Sequence, residues 1–78
     1  MSDEKIDVMA YSGYRGEETP RDFMLGGTRI EVVQIQERWI EEGIEDRAAK
    51  RFFKVKGSDG GIHTIFHDEK AATWYRRK

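Results

Sequence analysis

Alternating apolar and polar residues at the start of the chain predict a β-strand over residues 6–11. The apolar residues that share one face of this strand are Ile6, Val8 and Ala10. Residues 12–19 contain two glycines and a pair of glutamates, and they are predicted to form a loop. Pro20 ends this loop and is placed at the start of the next strand, because proline cannot donate a ladder hydrogen bond.

The dipeptide Gly26-Gly27 predicts a tight β-hairpin. Two-residue hairpin turns require positive φ angles, which glycine adopts without strain. In the corresponding register Leu25 faces Thr28. One face of the hairpin is then apolar and is expected to lie in the core; it carries Phe23, Leu25, Ile30 and Val32.

The same register creates a like-charge pair in the first hairpin. Asp22 lies opposite Glu31, which is unfavourable unless a basic side chain intervenes. Arg29 and Arg21 are the candidates for that role.

After Val32 the apolar alternation changes phase, to Val33, Ile35 and Trp39. One inserted residue at Val32-Val33 predicts a β-bulge that bends a long strand, as small barrels do at their corners. A helix is the competing interpretation, but the β-branched residues of this run favour a strand.

A second hairpin is predicted from residues 51–56 and 62–67, which flank the glycine-rich segment 57–61. With a turn of two or four residues, the core face carries Phe53, Val55, Ile62, Thr64 and Phe66. The opposite, outward face carries Phe52, Lys54, Lys56, His63, Ile65 and His67.

Residues 72–77 are predicted to form the last strand, with either Trp74 or Tyr75 pointing inward. The charged segment 41–50 is predicted to be a loop with at most one short helix. The whole chain, residues 1–78, is therefore expected to be a single all-β domain. We expect a small antiparallel barrel or roll of five to six strands.

Length and composition narrow the possible classes. A chain of 78 residues has room for one thin core, and its nine aromatic residues can fill it. The absence of cysteine excludes a disulfide scaffold and a thiol nucleophile. There is neither a long apolar run nor a signal-peptide pattern, so the expected location is cytoplasmic, without a membrane partner.

The net charge of −1 is the sum of two unlike parts. Residues 1–46 carry five basic and twelve acidic side chains, which gives −7, and residues 47–78 carry nine basic and three acidic ones, which gives +6. Such asymmetry is typical either of a polyanion partner or of an electrostatic seam within the protein.

The basic part of the chain supplies the first candidate site. Lysines that alternate with an aromatic residue on one strand face offer phosphate contacts and a stacking surface together, as in proteins that bind single-stranded nucleic acid. The candidate nucleic-acid-binding residues are Phe52, Lys54, Lys56, Arg15, Arg76 and Arg77, with Lys78 beside them. The alternative is a solvated face whose field nearby acidic residues cancel, with Phe52 covering an end of the barrel or packed under residues 41–50.

The segment 11–18 is a second candidate site. Its two glycines would let backbone amides approach a ligand, and Arg15 between tyrosines suits a phosphate, a base or a carboxylate. The alternative is a structured turn whose tyrosines pack on the sheet.

No constellation of residues predicts an enzyme or a cofactor. His63 and His67 would lie about 13 Å apart on one strand, too far to share a metal ion, and they are interpreted as surface residues. No serine or threonine stands in a nucleophile-elbow pattern.

Several motifs together resemble a family of small, uncharacterised bacterial domains over nearly the whole chain. They are residues 11–18 (Tyr-Ser-Gly-Tyr-Arg-Gly-Glu-Glu), 20–21 with Phe23, 25–27, 31–33 with 38–39, 53–55 with 59–61, and 67–69 with Trp74. The resemblance implies association with Y-family polymerase-like lesion-bypass proteins, and hence an accessory or interaction module in DNA metabolism. It supplies no catalytic residues, and residues 41–49 are longer and more charged than the family pattern.

The expected function is therefore that of a non-catalytic binding module. The leading hypothesis is weak binding of nucleic acid, or of a nucleoprotein of DNA metabolism, through the basic face. The alternative is a protein-interaction or self-association module, in which the acidic half docks a basic partner or a second copy. The acidic residues of that hypothesis are Glu41, Glu42, Glu45 and Asp46.

Overall fold

The computed structural model describes residues 3–12, 18–43 and 49–77, and it describes residues 11, 12 and 18 by their backbone alone. The strands within these ranges are β1 (Glu4–Ile6), β2 (Val8–Ser12), β3 (Glu18–Leu25), β4 (Thr28–Glu42), β5 (Ala49–Gly57), β6 (Ile62–Asp68) and β7 (Thr73–Arg77). No helix occurs in the described ranges, and so none that could cross a membrane.

The strands form one antiparallel sheet in the order β1-β7-β6-β5-β4-β3-β2. Its two end strands, β1 and β2, are consecutive in the chain and are separated only by Asp7, so the sheet curls into a nearly closed barrel. Asp7 also accepts a backbone hydrogen bond from Met24 of 2.9 Å. The predicted all-β barrel is confirmed; the described residues contain seven strands because the predicted first strand is interrupted at Asp7.

The first hairpin has the predicted register. Leu25 pairs with Thr28, and the turn glycines Gly26 and Gly27 have φ angles of 57° and 82°. The apolar face lies in the core as expected, since Phe23 and Ile30 are buried and Leu25 and Val32 pack against them.

Arg29 resolves the like-charge pair in this hairpin. Asp22 does lie opposite Glu31, and its carboxylate is buried. The Nη2 of Arg29 lies 2.6 Å from Oδ2 of Asp22, so a buried charge has a direct partner.

Pro20 lies inside β3 and not at its start, so the predicted position is wrong. Ala10 pairs with Pro20 whereas Met9 pairs with Asp22, which leaves one residue of β3 unpaired as a bulge. Because β3 pairs with β4 only from Asp22 onward, Pro20 has a described strand on one side alone. The missing N–H of proline is tolerated at such a position.

β4 is a long strand that changes partner at a corner. Through Glu31 it pairs with β3, and from Val32 onward it pairs with β5. The register shifts between Val32 and Gln34, as predicted, and again at a second position further along. Ser58 of the β5–β6 loop holds the corner, since its Oγ accepts from the Glu31 N–H (2.9 Å) and its N–H donates to the Glu31 carbonyl (2.8 Å).

The ends of segment 41–50 continue the neighbouring strands. Residues 41–42 belong to β4 and residues 49–50 to β5. Residues 44–48 lie outside the described residues, so the choice between loop and short helix stays a prediction there.

The second hairpin forms, but its predicted register is wrong by one residue. Lys56 pairs with Ile62, which leaves five residues between them. The Gly57 N–H donates to the Gly61 carbonyl (2.8 Å), and Gly60 adopts a φ of 85°, as in a three-residue loop with a glycine bulge. An odd number of loop residues moves every β6 side chain to the opposite face from the one expected.

The sheet therefore has an apolar inner face and a mixed outer face. The buried core of the inner face consists of Ile6, Phe23, Ile30, Phe53, Val55, Ile65 and Trp74. On strands β4 to β7 the outer face carries Trp39, Phe52, Phe66 and Tyr75, among other residues. Of the two candidate aromatic residues of the last strand, Trp74 points inward and Tyr75 outward.

We expect Gly57→Ala to destabilise the barrel by about 1–3 kcal/mol, because an overpacked site must shift its neighbours. A Cβ at Gly57 would lie 2.6 Å from Cγ2 of Ile30 and 2.6 Å from Oδ1 of Asp59. Urea unfolding measures the change. Gly61→Ala is the control, since a Cβ there meets side-chain atoms of His63 at 3.1 Å and of Asp59 at 3.4 Å. An equal loss in both variants would contradict the packing argument.

Candidate interaction surfaces

Four aromatic rings stack across the outer face of β4, β5, β6 and β7, and we call them the aromatic ladder. Its members are Trp39, Phe52, Phe66 and Tyr75. Successive ring centroids are 5.3, 4.6 and 5.3 Å apart, with interplanar angles of 7°, 26° and 20°. Each such pair contributes about 0.5–1.5 kcal/mol beyond the area it buries, so the ladder stabilises the pairing of these strands.

The interior rings of the ladder are not open to a ligand. Phe52 points outward as predicted, yet it is 0% exposed, and the Arg77 guanidinium carbon lies 4.3 Å from its ring centroid. Phe66 is 2% exposed, with the Lys50 ammonium 5.6 Å from its centroid. Neither ring can stack on a nucleobase unless these basic side chains move away.

The cation above Phe52 is itself paired with an acidic residue. Arg77 Nη1 lies 3.6 Å from Oε2 of Glu41, and the same oxygen accepts a hydrogen bond of 2.9 Å from the Trp39 indole. The indole hydrogen bond, and to a lesser extent Arg77 and Lys50, lower the pKa of the Glu41 carboxyl. Arg77 is therefore partly neutralised within the molecule.

The two predicted lysines of β5 lie on the outer face, but they differ in their neighbours. Lys54 lies opposite Glu37 of β4 and Thr64 of β6. Lys56 is exposed and lies opposite the uncharged Gln34 and Ile62. Lys56 is thus better placed than Lys54 to meet an external anion.

The structure does not bring all of the predicted basic residues together. Arg76 lies on the inner side of β7, where its guanidinium donates to Oε1 of Glu4 at 3.0 and 3.2 Å. It therefore does not join Lys54 and Lys56 on one face. Arg15 and Lys78 lie outside the described residues.

Acidic and basic residues from the two parts of the chain lie side by side on neighbouring strands. Acidic β4 lies beside basic β5, with Glu37 opposite Lys54 and Glu41 opposite Lys50. The charge asymmetry of the sequence therefore forms an electrostatic seam among these residues, and not one uninterrupted basic surface.

The two histidines are half-buried and lie on the inner face, which corrects their interpretation as outward-facing surface residues. The shifted register of β6 turns both toward the inner face. His63 packs edge-on against Phe23 with centroids 5.3 Å apart, and its Nε2 lies 3.1 Å from Oδ2 of Asp59. His67 packs on Trp74 at 5.1 Å. Among the described residues no group of three metal-ligating side chains occurs.

In the part of the chain that the structure describes, a long edge of β4 has no strand beside it. Residues 33–42 pair with β5 on one side, whereas β3 pairs with β4 only over residues 28–31. Within ranges 3–12, 18–43 and 49–77, no other strand lies along the opposite side, which we call the β4 edge. In an antiparallel strand every second residue directs its N–H and C=O toward such an edge, so these groups have no strand partner within those ranges.

A groove of about 340 Å³ lies beside the β4 edge. It is lined by Thr19, Arg38, Trp39, Ile40, Arg51, Phe52 and Phe53. Ile40 is 60% exposed, and Arg38 is exposed without a hydrogen bond or ion pair to another described residue. Arg51 is paired with Glu69, so Arg38 is the groove cation that is open to a carboxylate.

Sequence reasoning missed Arg38 and Ile40 as candidate residues. The predicted alternation through Val33, Ile35 and Trp39 leaves Arg38 and Ile40 on the opposite strand face. The sequence does contain a signal for this pair of residues. Ile40 lies two positions from both Arg38 and Glu42, so it is an apolar residue between two charged ones on the same strand face.

Comparisons with protein-family models, with curated proteins and with solved structures return no match.

We expect Trp39→Phe to raise the pKa of the Glu41 carboxyl toward its ordinary value while keeping a ring against Phe52. The indole N–H is the largest cause of the lowered pKa, and phenylalanine lacks this donor. Carboxyl carbon NMR titrations of both proteins measure the change. An unchanged Glu41 pKa would show that the indole hydrogen bond is absent in solution.

The lowered pKa of Glu41 also makes the free energy of unfolding depend on pH. Glu41 has a lowered pKa in the folded chain, so its stabilising contribution is complete above the ordinary glutamate pKa and is lost as the pH falls through the lowered pKa. In Trp39→Phe this contribution is smaller, so the variant loses less stability than the parent over that interval.

Proposed function

We propose that this domain is a non-catalytic interaction module whose β4 edge receives an extended segment of a partner protein. The observation that carries the proposal is the edge over residues 33–42, which pairs with no further described strand. It lies beside a groove with the exposed Ile40 and with Arg38, which has no ion pair to another described residue. Addition of a strand to such an edge supplies main-chain hydrogen bonds for affinity and side-chain contacts for specificity.

The groove defines the chemistry of the segment that fits it. Residues of an added strand that lie directly opposite β4 residues share their face. A segment with an apolar residue opposite Ile40 and an acidic residue opposite Arg38 would cover the exposed isoleucine and form an ion pair with the guanidinium. Such a segment alternates apolar and acidic residues along one face.

A short synthetic peptide that is blocked at both ends tests the edge directly. Every second residue is threonine, and the positions between the threonines alternate isoleucine with glutamate, so that these two share one strand face. We expect it to shift the backbone amide resonances of residues 37–42 in ¹⁵N NMR spectra, because their open groups become hydrogen-bonded. Ile40→Lys should weaken this binding at least about tenfold, which is the effect of losing roughly 1.4 kcal/mol of apolar contact.

Ile62→Lys is the matched control for that experiment. Ile62 is 49% exposed, similar to Ile40, but it lies on the outer face, away from the groove. Its replacement should leave peptide binding unchanged. Shifts confined to other strands, or equal losses in both variants, would contradict strand addition at the β4 edge.

Weak binding of nucleic acid on the outer face is the second candidate function. It is favoured by the exposed Lys56, which has uncharged neighbours, and by the half-buried Tyr75 at the end of the aromatic ladder. The resemblance to domains associated with lesion-bypass proteins agrees with either function. The electrostatic seam argues for weak affinity, because Lys54 and Arg77 have acidic neighbours.

We expect single-stranded DNA to bind, if this second function holds, with an affinity that falls as salt rises. Lys54→Gln with Lys56→Gln should lower the slope of log affinity against log salt by about 2, or about 1 for each lysine removed. Fluorescence anisotropy over a salt series measures the slope.

Arg38→Gln is the control for the DNA experiment, because it removes one positive charge from the other face. Its salt slope should equal that of the parent. Absence of binding at low ionic strength, or equal effects on the two faces, would reject the outer face as a nucleic-acid surface.

A further inference from the structure

The geometry points to a second copy of this chain as the partner that pairs with the β4 edge, in a register centred on Ile40. This inference rests on the proposed function, since it names the strand that the edge receives. The chain itself contains a segment with the required alternation of apolar and acidic residues, because Ile40 and Glu42 follow Arg38 on the same face of β4.

Pairing of two identical antiparallel strands places a two-fold axis perpendicular to the sheet. Residues then meet residues of the same face, so the register must be centred on a residue and not between two residues. The ladder from residue 37 to residue 42 is regular, without the bulges that precede it. This limits the centre to a few positions.

Only one choice of central residue places oppositely charged side chains across from each other and places no like charges across from each other. With Ile40 at the centre, the two exposed isoleucines face each other, and Arg38 lies opposite Glu42 of the second copy on both sides of the axis. Arg38, which has no ion pair to another described residue of its own chain, acquires one in the dimer, and both copies contribute equally.

The neighbouring registers are electrostatically unfavourable. A centre at Arg38 or at Glu41 places each of these residues opposite itself. A centre at Trp39 places Glu37 opposite Glu41. Like charges directly opposite each other destabilise a strand pair, so charge selects the centre at Ile40.

The resulting assembly has consequences for the edge and the outer face. The two β4 strands join the sheets of both copies, which removes an open edge that would otherwise invite non-specific pairing. The aromatic ladders of the two copies then lie on the same side of one continuous sheet. The contact is short, so the dimer belongs among weak, reversible associations.

Sedimentation equilibrium of the full chain over a concentration series is the experiment that tests this inference. We expect the parent to show a reversible monomer–dimer equilibrium. Arg38→Glu and Glu42→Arg, each alone, should weaken the dimer about fivefold to thirtyfold, because each affects two symmetric pairs of about 0.5–1 kcal/mol.

Two combinations of the charge variants restore unlike pairs. The chain that carries both Arg38→Glu and Glu42→Arg should recover the dimer, and its net charge equals that of the parent. An equimolar mixture of the two single variants should also associate, and more tightly than either single variant does alone. Circular dichroism shows whether every variant is folded, and Ile62→Lys, as an outer-face control, should dimerise like the parent.

Other outcomes separate this inference from the proposed function. If the full chain remains a monomer while the synthetic peptide still shifts the amides of residues 37–42, the edge receives a strand but not from a second copy. If neither association occurs, both proposals are rejected. A dimer that survives Ile40→Lys, or charge variants that do not restore each other, would overturn the assigned register.

Discussion

The corner of β4 beside Glu31 is the constraint on which the rest of the barrel depends. Ser58 satisfies both the N–H and the carbonyl of Glu31, in the place where β4 exchanges one neighbouring strand for another. Two register shifts follow the corner and turn the strand. Because a single strand belongs to both parts of the sheet, Phe23 and Ile30 on one side of the corner reach the same core as Phe53 on the other.

The same corner produces the surface that carries the functional argument. Once β4 has left β3, its second half has a neighbour on one side only among the described residues. Closure of the core and opening of an edge are thus two results of one bend. A straight β4 would have continued along β3, and Arg38 would then have had no groove to occupy.

Local sequence signals predicted the parts of the fold that are determined locally. The glycine pair fixed the first hairpin, and the change of phase at Val32 located the first bulge. The second hairpin failed because its glycines are compatible with several loop lengths, and the number of loop residues decides which side chains enter the core. Both faces of β6 carry apolar residues. The hydrophobic pattern therefore did not show whether Ile65 or Phe66 points inward.

The candidate site was less predictable because it depends on distant strands. The sequence placed Lys54 and Lys56 on the outer face correctly, but it gave no indication that Arg77 would cover Phe52. Which arginine lacks a partner depends on contacts such as that between Arg76 and Glu4, which are 72 residues apart. Charge counts along the chain cannot show whether opposite charges will lie side by side in the sheet.

The interruption of the first strand at Asp7 has a consequence for the order of folding. The segments before and after Asp7 pair with strands at opposite ends of the sheet, and the pairing of β1 with β7 closes the longest loop among the described strand pairs. Closing a long loop costs more chain entropy than forming a hairpin between adjacent strands, so it is the slower step. During synthesis on the ribosome, the hairpins from β3 to β6 can therefore form as they emerge, whereas the ring remains open until Trp74 has been translated and can meet Ile6.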